Sequence, residues 1–259
     1  MSTNVVASLF TPDELAAFEQ DGYLIVRGLA EPDLCDHMRA VTLDNVQRLI
    51  EPIEFEVDLQ YPGAPESPAA LGGRTVRRLL QAHGRDYVFT RWLTSPQLTG
   101  RLKQLLGPEY LCPLAHHNCI MTKEPQFSSD TGWHQDIRYW SFTRPDLVNV
   151  WLALGQERAE NGCLKIIPGS HREKFQRAQF DDDTFFRTDV PENQPLLSRE
   201  VRAELEPGDV LFFHCRTLHA ATRNYSNETK NSVVFTFRSL DNPPLPGTRS
   251  ALSPELLLH

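Results

Sequence analysis

The sequence lacks any long apolar run. Its hydrophobic stretches are only a few residues long, such as the Val-Leu-Phe-Phe at 210–213, whereas about 20 consecutive apolar residues are needed to cross a bilayer. Residues 1–6 carry neither the basic segment nor the apolar stretch that opens a secretory signal. The sequence therefore predicts a cytoplasmic protein without a membrane span.

Cysteine is scarce and its spacing indicates no pairing. The five cysteines are odd in number, and no two of them form a Cys-x-x-Cys motif. This pattern argues against a disulfide framework and against a thiolate zinc site. We expect free thiols, most of them buried.

Positive charge is also in short supply. The chain has 26 Lys and Arg residues against 34 Asp and Glu residues, which gives a formal net charge of −8. Nucleic-acid binders usually carry a basic surface, so we expect no nucleic-acid partner. An anionic ligand would have to be held by local Arg or Lys side chains.

What is present is typical of a globular protein. With 259 residues, 40% hydrophobic and 23% charged, the chain can bury one sizeable core. The Thr-Pro-Asp-Glu at 11–14 predicts a capped helix that Gly22 ends. Further helices are predicted from about 31–33 to 50 and from Ser95 to Gly107. The Pro- and Gly-rich segment 51–74 is predicted to be a long irregular loop, which is typical of lids and binding loops.

Short strands dominate the rest of the chain. They are predicted at 23–26, 111–114, 115–123, 134–137, 148–154, 164–167, 201–205, 210–213, 218–222 and 232–238. Helices followed by many short strands predict an α+β, mainly β chain with a double-stranded β-helix core (jelly roll, cupin-like) and N-terminal flanking helices. We expect a single domain over 1–259, with a helical part to about 107, a core to about 240 and a tail at 241–259.

A set of metal-ligating residue types stands out among these strands. His134 and Asp136 are two residues apart, so on a strand both side chains point to one face. His214 and His219 compete to supply a second imidazole. His219 is preferred because it follows a turn and precedes the small pair Ala220-Ala221. Two His and one Asp form a facial triad, which leaves positions open on non-haem Fe(II).

Residues near this motif are candidates for a substrate pocket. Arg138, Tyr139 and Trp140 directly follow Asp136 and predict one wall of the pocket, with plain strand-edge packing as the alternative. In a second group, Arg74 is predicted to meet an anionic substrate. Its neighbours Arg77 and Arg78 are expected instead to be solvated near a helix start. Of His116 and His117, at most one is expected to face the pocket.

Taken together, these motifs resemble the phytanoyl-CoA dioxygenase family of Fe(II)- and 2-oxoglutarate-dependent oxygenases. The resemblance implies a jelly-roll core, iron held by His134, Asp136 and His219, and 2-oxoglutarate chelating that iron. It covers nearly the whole chain. The matching stretches are Asp-Gly-Tyr at 21–23, Trp-His-Gln-Asp at 133–136 with Tyr139, Trp-Leu-Ala-Leu at 151–154, Glu-Asn-Gly-Cys-Leu at 160–164, Ile-Pro-Gly-Ser-His at 167–171, Pro-Gly-Asp at 207–209, Phe-Phe-His at 212–214, and Leu-His at 218–219 followed by Asn224.

The resemblance also implies how the co-substrate is held. Family members usually place an Arg on the strand after the second His, and the matching residue here is Lys230, which offers a point charge instead of a bidentate fork. Some members have a hydroxyl at the position of Ala221, and Ser232 is a replacement from the face of Lys230. Trp151 matches a residue that packs against the co-substrate. The alternatives are a solvated loop lysine for Lys230 and a plain core residue for Trp151.

The predicted activity is hydroxylation of a small organic metabolite, with 2-oxoglutarate and O2 consumed, ascorbate supportive, and succinate and CO2 released. Desaturation and ring closure begin in the same way and stay open. Asp136 argues against halogenation, since halogenases of this type have a small residue there. The alternative is a metal-dependent hydrolase or isomerase on the same β scaffold, because two His and one Asp also bind Zn2+. Lys230 and the space beside Ala220-Ala221 favour the oxygenase.

Overall fold

The computed structural model describes residues 9–259. The prediction about a signal at 1–6 therefore lies outside the described residues, as does the start of the predicted domain. Within residues 9–259 the α-helices are α1 (Pro12–Asp21), α2 (Pro32–Arg48), α3 (Glu56–Leu59), α4 (Tyr87–Leu93), α5 (Pro96–Leu106) and α6 (Gln194–Leu197). The strands are β1 (Tyr23–Val26), β2 (Ile53–Phe55), β3 (Val76–Leu80), β4 (Tyr110–Pro113), β5 (Asn118–Lys123), β6 (Thr131–His134), β7 (Val148–Ala153), β8 (Leu164–Ile166), β9 (Val201–Ala203), β10 (Val210–His214), β11 (His219–Ala221), β12 (Lys230–Ser239) and β13 (Glu255–Leu258).

The first helix begins and ends where the sequence predicts. The Thr11 side chain accepts a hydrogen bond from the Glu14 backbone N–H, and the Glu14 carboxylate accepts one from the Thr11 N–H, which completes a capping box. Gly22 ends α1 in the left-handed conformation at φ 74°. Proline also occupies the first turn of α2 and of α5.

The strands of the described chain form two antiparallel sheets. The larger has the order β1-β10-β7-β12-β5-β3-β2, with β4 joining β12 to β13, and the smaller has the order β6-β11-β8-β9. Trp151 and Phe213 of the larger sheet belong to one apolar cluster with Leu164 and Ile166 of the smaller. The two sheets therefore pack face to face as a jelly roll, and the predicted fold class is confirmed.

Helices cover the other face of the larger sheet. Val150 and Leu152 share a buried cluster with Met38 of α2 and Trp92 of α4, whereas Trp151, between them, faces the smaller sheet. This alternation is the period of two expected for a strand buried on both faces. Among the described helices, none is both long and apolar enough to span a membrane. All five cysteines are free and buried.

The local predictions are wrong in several places, of which three concern residues near the cavity. First, the predicted strand 134–137 stops at His134, and Asp136–Tyr139 forms a 3-10 turn. Second, the segment 51–74 contains β2 and α3 instead of being wholly irregular. Third, Arg77 and Arg78 lie on β3, not near a helix start. Two adjacent arginines interrupt the apolar pattern of this short strand, so the sequence does not indicate it. The strand accommodates these arginines because Glu56 and Glu54, which are distant in the sequence, pair with them.

Candidate active site

Three side chains meet between β6, β11 and the turn after β6. His134 and His219 are register partners at the ends of neighbouring strands, and Asp136 reaches the same point from the 3-10 turn. One ligand atom from each residue lies within 4.8 Å of the other two, and all three residues are buried. The predicted triad is thus brought together, although Asp136 arrives from a turn and not from the strand.

The backbone fixes the orientation of both imidazoles. Nδ1 of His134 lies 2.8 Å from the carbonyl oxygen of Gly132, and Nδ1 of His219 lies 3.0 Å from that of Thr217. Because a carbonyl oxygen only accepts hydrogen bonds, each Nδ1 carries the proton and each Nε2 keeps a free lone pair. Both Nε2 atoms face Asp136 Oδ1, at 3.5 and 3.6 Å. This is how metal-binding histidines are usually held.

Asp136 is oriented by amide and hydroxyl groups. The Asn149 side chain donates a 2.8 Å hydrogen bond to Asp136 Oδ2, and its own oxygen accepts a 2.6 Å bond from the Thr236 hydroxyl. Asn149 and Thr236 are fully buried. The Oδ1 atom is left to face the two imidazoles of the triad, and also that of His117, whose Nε2 lies 3.2 Å away.

Electrostatics favour the ionised form of Asp136. Burial by itself would raise the pKa of this carboxyl, but the imidazoles of His117, His219 and His134 hold it well below its usual range. Burial, followed by the nearby His134, lowers the pKa of His219 to about 4. A neutral imidazole and an ionised carboxylate are the protonation states that a metal ion requires of its ligands.

The competing histidine lies elsewhere. Nε2 of His214 is 3.4 Å from Asp146, and its ring stacks near that of His171 at 5.3 Å. Of the two candidates for the second imidazole, the structure therefore places His219 and not His214 beside His134 and Asp136.

The triad opens into a cavity of about 650 Å3 between the two sheets. Arg138, Tyr139 and Trp140 line it, and so do Trp151 and Lys230. Arg138 lies over the rings of Tyr139 and Phe185 at 4.3 and 4.0 Å. The cavity is large enough for two small molecules beside a metal ion.

Arg74 is placed differently from its prediction. Its side chain is exposed and does not line the cavity, whereas Arg77 and Arg78 do. Arg74 precedes β3 and is exposed to solvent. Arg77 and Arg78, not Arg74, therefore occupy the cavity position that the sequence predicts for Arg74. His116 and His117 both line the cavity, because β5 begins only at Asn118 and strand alternation does not apply to them.

The three residues predicted to hold the co-substrate converge on one buried carboxylate. Glu157 Oε2 lies 3.2 Å from Lys230 Nζ, while its Oε1 accepts hydrogen bonds from Ser232 Oγ at 2.6 Å and from Trp151 Nε1 at 2.9 Å. Lys230 and Glu157 are almost fully buried. Ser232 does not itself line the cavity. Sequence reasoning missed Glu157, which lies beyond β7 and has no motif around it.

Further ion pairs continue this side of the cavity. Arg77 Nη1 lies 3.2 Å from Glu56, and Arg78 donates two hydrogen bonds, at 2.6 and 2.5 Å, to Glu54. Lys123 lies beside them, where its Nζ donates a 2.7 Å bond to the Ser129 carbonyl oxygen. We call this set of groups the charged wall. It consists of Glu54, Glu56, Arg77, Arg78, Lys123, Glu157 and Lys230.

The sequence contains a weak indication of two further residues that were not predicted, Asn149 and Thr236. Asn149 interrupts the apolar run of β7 on the face that carries Trp151, and Thr236 interrupts β12 in the same way. A polar residue on the buried face of an apolar strand needs a partner. That partner is the Asp136 carboxylate.

Known proteins resemble this chain over most of its length. The model of the phytanoyl-CoA dioxygenase (PhyH) family matches residues 18–232. An ectoine dioxygenase of Halomonas elongata is 26% identical over 95% of this chain and 75% of that protein. The carbocyclase SnoK from nogalamycin biosynthesis has a similar structure (TM-score 0.74, 21% identity, covering 96% of this chain and 97% of that one). So does EctD from S. alaskensis with 2-oxoglutarate and 5-hydroxyectoine (TM-score 0.73, 21% identity, 95% and 81%).

Proposed function

The chain belongs to the phytanoyl-CoA dioxygenase family, and from this premise we propose that it is a non-haem Fe(II)- and 2-oxoglutarate-dependent dioxygenase that hydroxylates a small organic metabolite. The observation that carries the proposal is the convergence of His134, Asp136 and His219, with their ligand atoms within 4.8 Å of one another, on the wall of a cavity. We place this activity in the cytoplasm.

The donor set fits Fe(II). Two neutral imidazoles and one carboxylate hold one face of the ion and leave the other positions open. Among residues 9–259, the cluster of potential ligands consists of these three groups. A further imidazole, that of His117, lies outside this cluster, with its Nε2 3.2 Å from Asp136 Oδ1. Fe(II), when bound there with 2-oxoglutarate and O2, supplies the oxidising chemistry that inserts oxygen into a C–H bond and releases succinate and CO2.

The protein's own residues position the reactants. Gly132 and Thr217 hold the imidazoles and Asn149 holds the carboxylate, and all three ligand residues are buried. We assign Lys230, supported by Ser232 and Trp151, to binding 2-oxoglutarate.

We assign a second wall of the cavity to the substrate. Arg138, Tyr139 and Trp140 line the cavity beside the triad and form this wall. A guanidinium flanked by aromatic rings suits a substrate with both apolar and anionic parts.

The hydrolase alternative is weaker on the same observations. A hydrolytic zinc site needs one open position for water and no second ligand. Lys230, which lies over the ring of Trp151, fits the carboxylate of a co-substrate, and hydrolysis requires no such co-substrate.

The proposal is tested by turnover of the co-substrate. Purified protein given Fe(II), ascorbate and O2 should slowly convert 2-oxoglutarate to succinate even without its substrate, as measured by chromatography of the two acids. The matched control is the same protein loaded with Zn2+, which should produce no succinate. If iron is bound but no succinate forms across a broad panel of candidate substrates, the proposal is wrong.

A further inference from the structure

Two buried lysines lie directly opposite each other in the charged wall. Lys123 ends β5, Lys230 begins β12, and the two are register partners of the antiparallel pair. They are 7% and 3% exposed, and both line the cavity. Like charges at directly opposed positions destabilise a sheet, and burial adds to that cost. Such a pair calls for a nearby anion.

The carboxylates of the wall do not supply enough negative charge. Glu157 pairs with Lys230, Glu56 pairs with Arg77, and Glu54 pairs with Arg78. The cation left over is Lys123, which has no carboxylate oxygen within 4.0 Å in the part of the chain that the structure describes. Nearby Asp130 pairs with Arg223 at 2.7 Å. The wall therefore carries one positive charge in excess, and this charge lies on Lys123.

We propose that Lys123 and Lys230 together bind the distal carboxylate of 2-oxoglutarate, with Lys123 supplying the net positive charge of this seat. The inference rests on the proposed function and deepens it. Glu157 neutralises Lys230, so Lys230 alone offers little net attraction to a second anion. Two ammonium groups on neighbouring strands provide one donor for each carboxylate oxygen, and so replace the two-pronged contact of a single arginine.

The titration of Lys123 gives the seat a pH dependence. Burial, followed by the charges of Arg77 and Lys230, lowers the pKa of Lys123 to about 7, against the opposing effect of Glu56 and Asp130. A bound carboxylate favours the charged form and raises this pKa. Above pH 7 the free protein must then take up a proton to bind 2-oxoglutarate, so affinity falls as pH rises through that region.

The test compares two ligands that differ in the distal carboxylate. The dissociation constants of 2-oxoglutarate and of 2-oxopentanoate, which lacks that group, are measured by calorimetry on Mn(II)-loaded protein without O2. Lys123→Met and Lys230→Met should each weaken 2-oxoglutarate by about 10- to 100-fold and change 2-oxopentanoate little. Lys123→Arg should retain the preference for 2-oxoglutarate. Lys103→Met, at an exposed position of α5, should change neither constant.

Each other outcome has a distinct meaning. If Lys123→Met weakens both ligands equally, or leaves the affinity for 2-oxoglutarate unchanged, the seat is wrong while the proposed function stands. If the wild-type protein binds neither 2-oxo acid, the proposed function itself is overturned. The loss of affinity above pH 7 should disappear in Lys123→Met, and a wild-type-like pH profile in this variant would also overturn the proposal.

Discussion

The two sides of the cavity are stabilised by different means. At the triad, most of the groups that orient the side chains are uncharged: the carbonyls of Gly132 and Thr217 for the imidazoles and the amide of Asn149 for Asp136. His117 is the exception, because burial by itself would lower the pKa of this imidazole but Asp136, 3.2 Å away, raises it to about 9. At the charged wall, by contrast, buried cations face buried carboxylates, as in the pair of Lys230 and Glu157.

The triad is therefore preorganised for its metal ion, whereas the charged wall is incomplete until an anion binds. Hydrogen bonds with two backbone carbonyls and with the Asn149 amide hold the triad in its metal-binding arrangement, so little reorganisation is needed when the metal binds. In the charged wall Glu157 offsets the charge of Lys230, whereas Lys123 has no paired carboxylate among residues 9–259, so we expect an arriving anion to stabilise this wall. Substitutions at the triad should therefore act on metal binding, and substitutions at the wall should act on stability and on binding of the co-substrate.

The largest effect is expected at the triad itself. His219→Ala removes one of three ligands and should abolish stoichiometric binding of Fe(II), a greater loss than the roughly 10- to 100-fold that removal of an outer partner costs. Metal content after anaerobic loading and desalting measures it. His214→Ala is the matched control, because His214 pairs with Asp146 away from the triad. Full metal content in His219→Ala would mean that His219 is not a ligand.

An intermediate effect is expected in the charged wall. Glu157→Gln keeps the shape of the side chain but leaves Lys230 as a buried cation without its counter-charge, which should lower the free energy of unfolding by about 3 kcal/mol. Denaturant unfolding of the metal-loaded protein, with and without 2-oxoglutarate, measures it. The ligand should restore more stability to the variant than to the wild type, because its carboxylate replaces the missing one.

Glu206→Gln is a control for this experiment, since Glu206 forms its ion pair with Arg158 at the surface, where such pairs contribute little. If 2-oxoglutarate raises the free energy of unfolding equally in Glu157→Gln and in the wild type, the claim that an anion completes the charged wall is wrong.

The same contrast explains how far the sequence could be interpreted. The triad is visible because its residue types are rare together and lie next to turns that are encoded locally, as in Trp-His-Gln-Asp at 133–136. The capping box of α1 and the alternation of β7 are local in the same sense. The charged wall is not, because its pairs join residues 21 to 73 positions apart, such as Arg77 with Glu56 and Lys230 with Glu157.

Ion pairs between residues distant in the sequence also explain why the prediction for Arg77 and Arg78 is wrong. Arg77 and Arg78 are charged residues with the pattern of a solvated surface. Arg77 is buried and Arg78 half-buried on β3, where Glu56 and Glu54 come to lie beside them. A single sequence does not reveal which carboxylate will meet which cation. Arg74 forms no ion pair with any residue of 9–259, and its side chain is exposed.

The smallest effect is expected one step behind the triad, at Thr236. Its hydroxyl donates to Asn149, which in turn donates to Asp136. Thr236→Val keeps the shape and removes that bond, so Asn149 should hold the carboxylate less firmly, at a cost of about 1 kcal/mol or about fivefold in metal affinity. Competition with a fluorescent chelator measures it. Thr42→Val is the matched control, because the buried Thr42 hydroxyl donates to the Met38 carbonyl oxygen within α2. A comparable loss of metal affinity in both variants would show that the effect is one of general stability, whereas a loss confined to Thr236→Val supports preorganisation of the triad by uncharged partners.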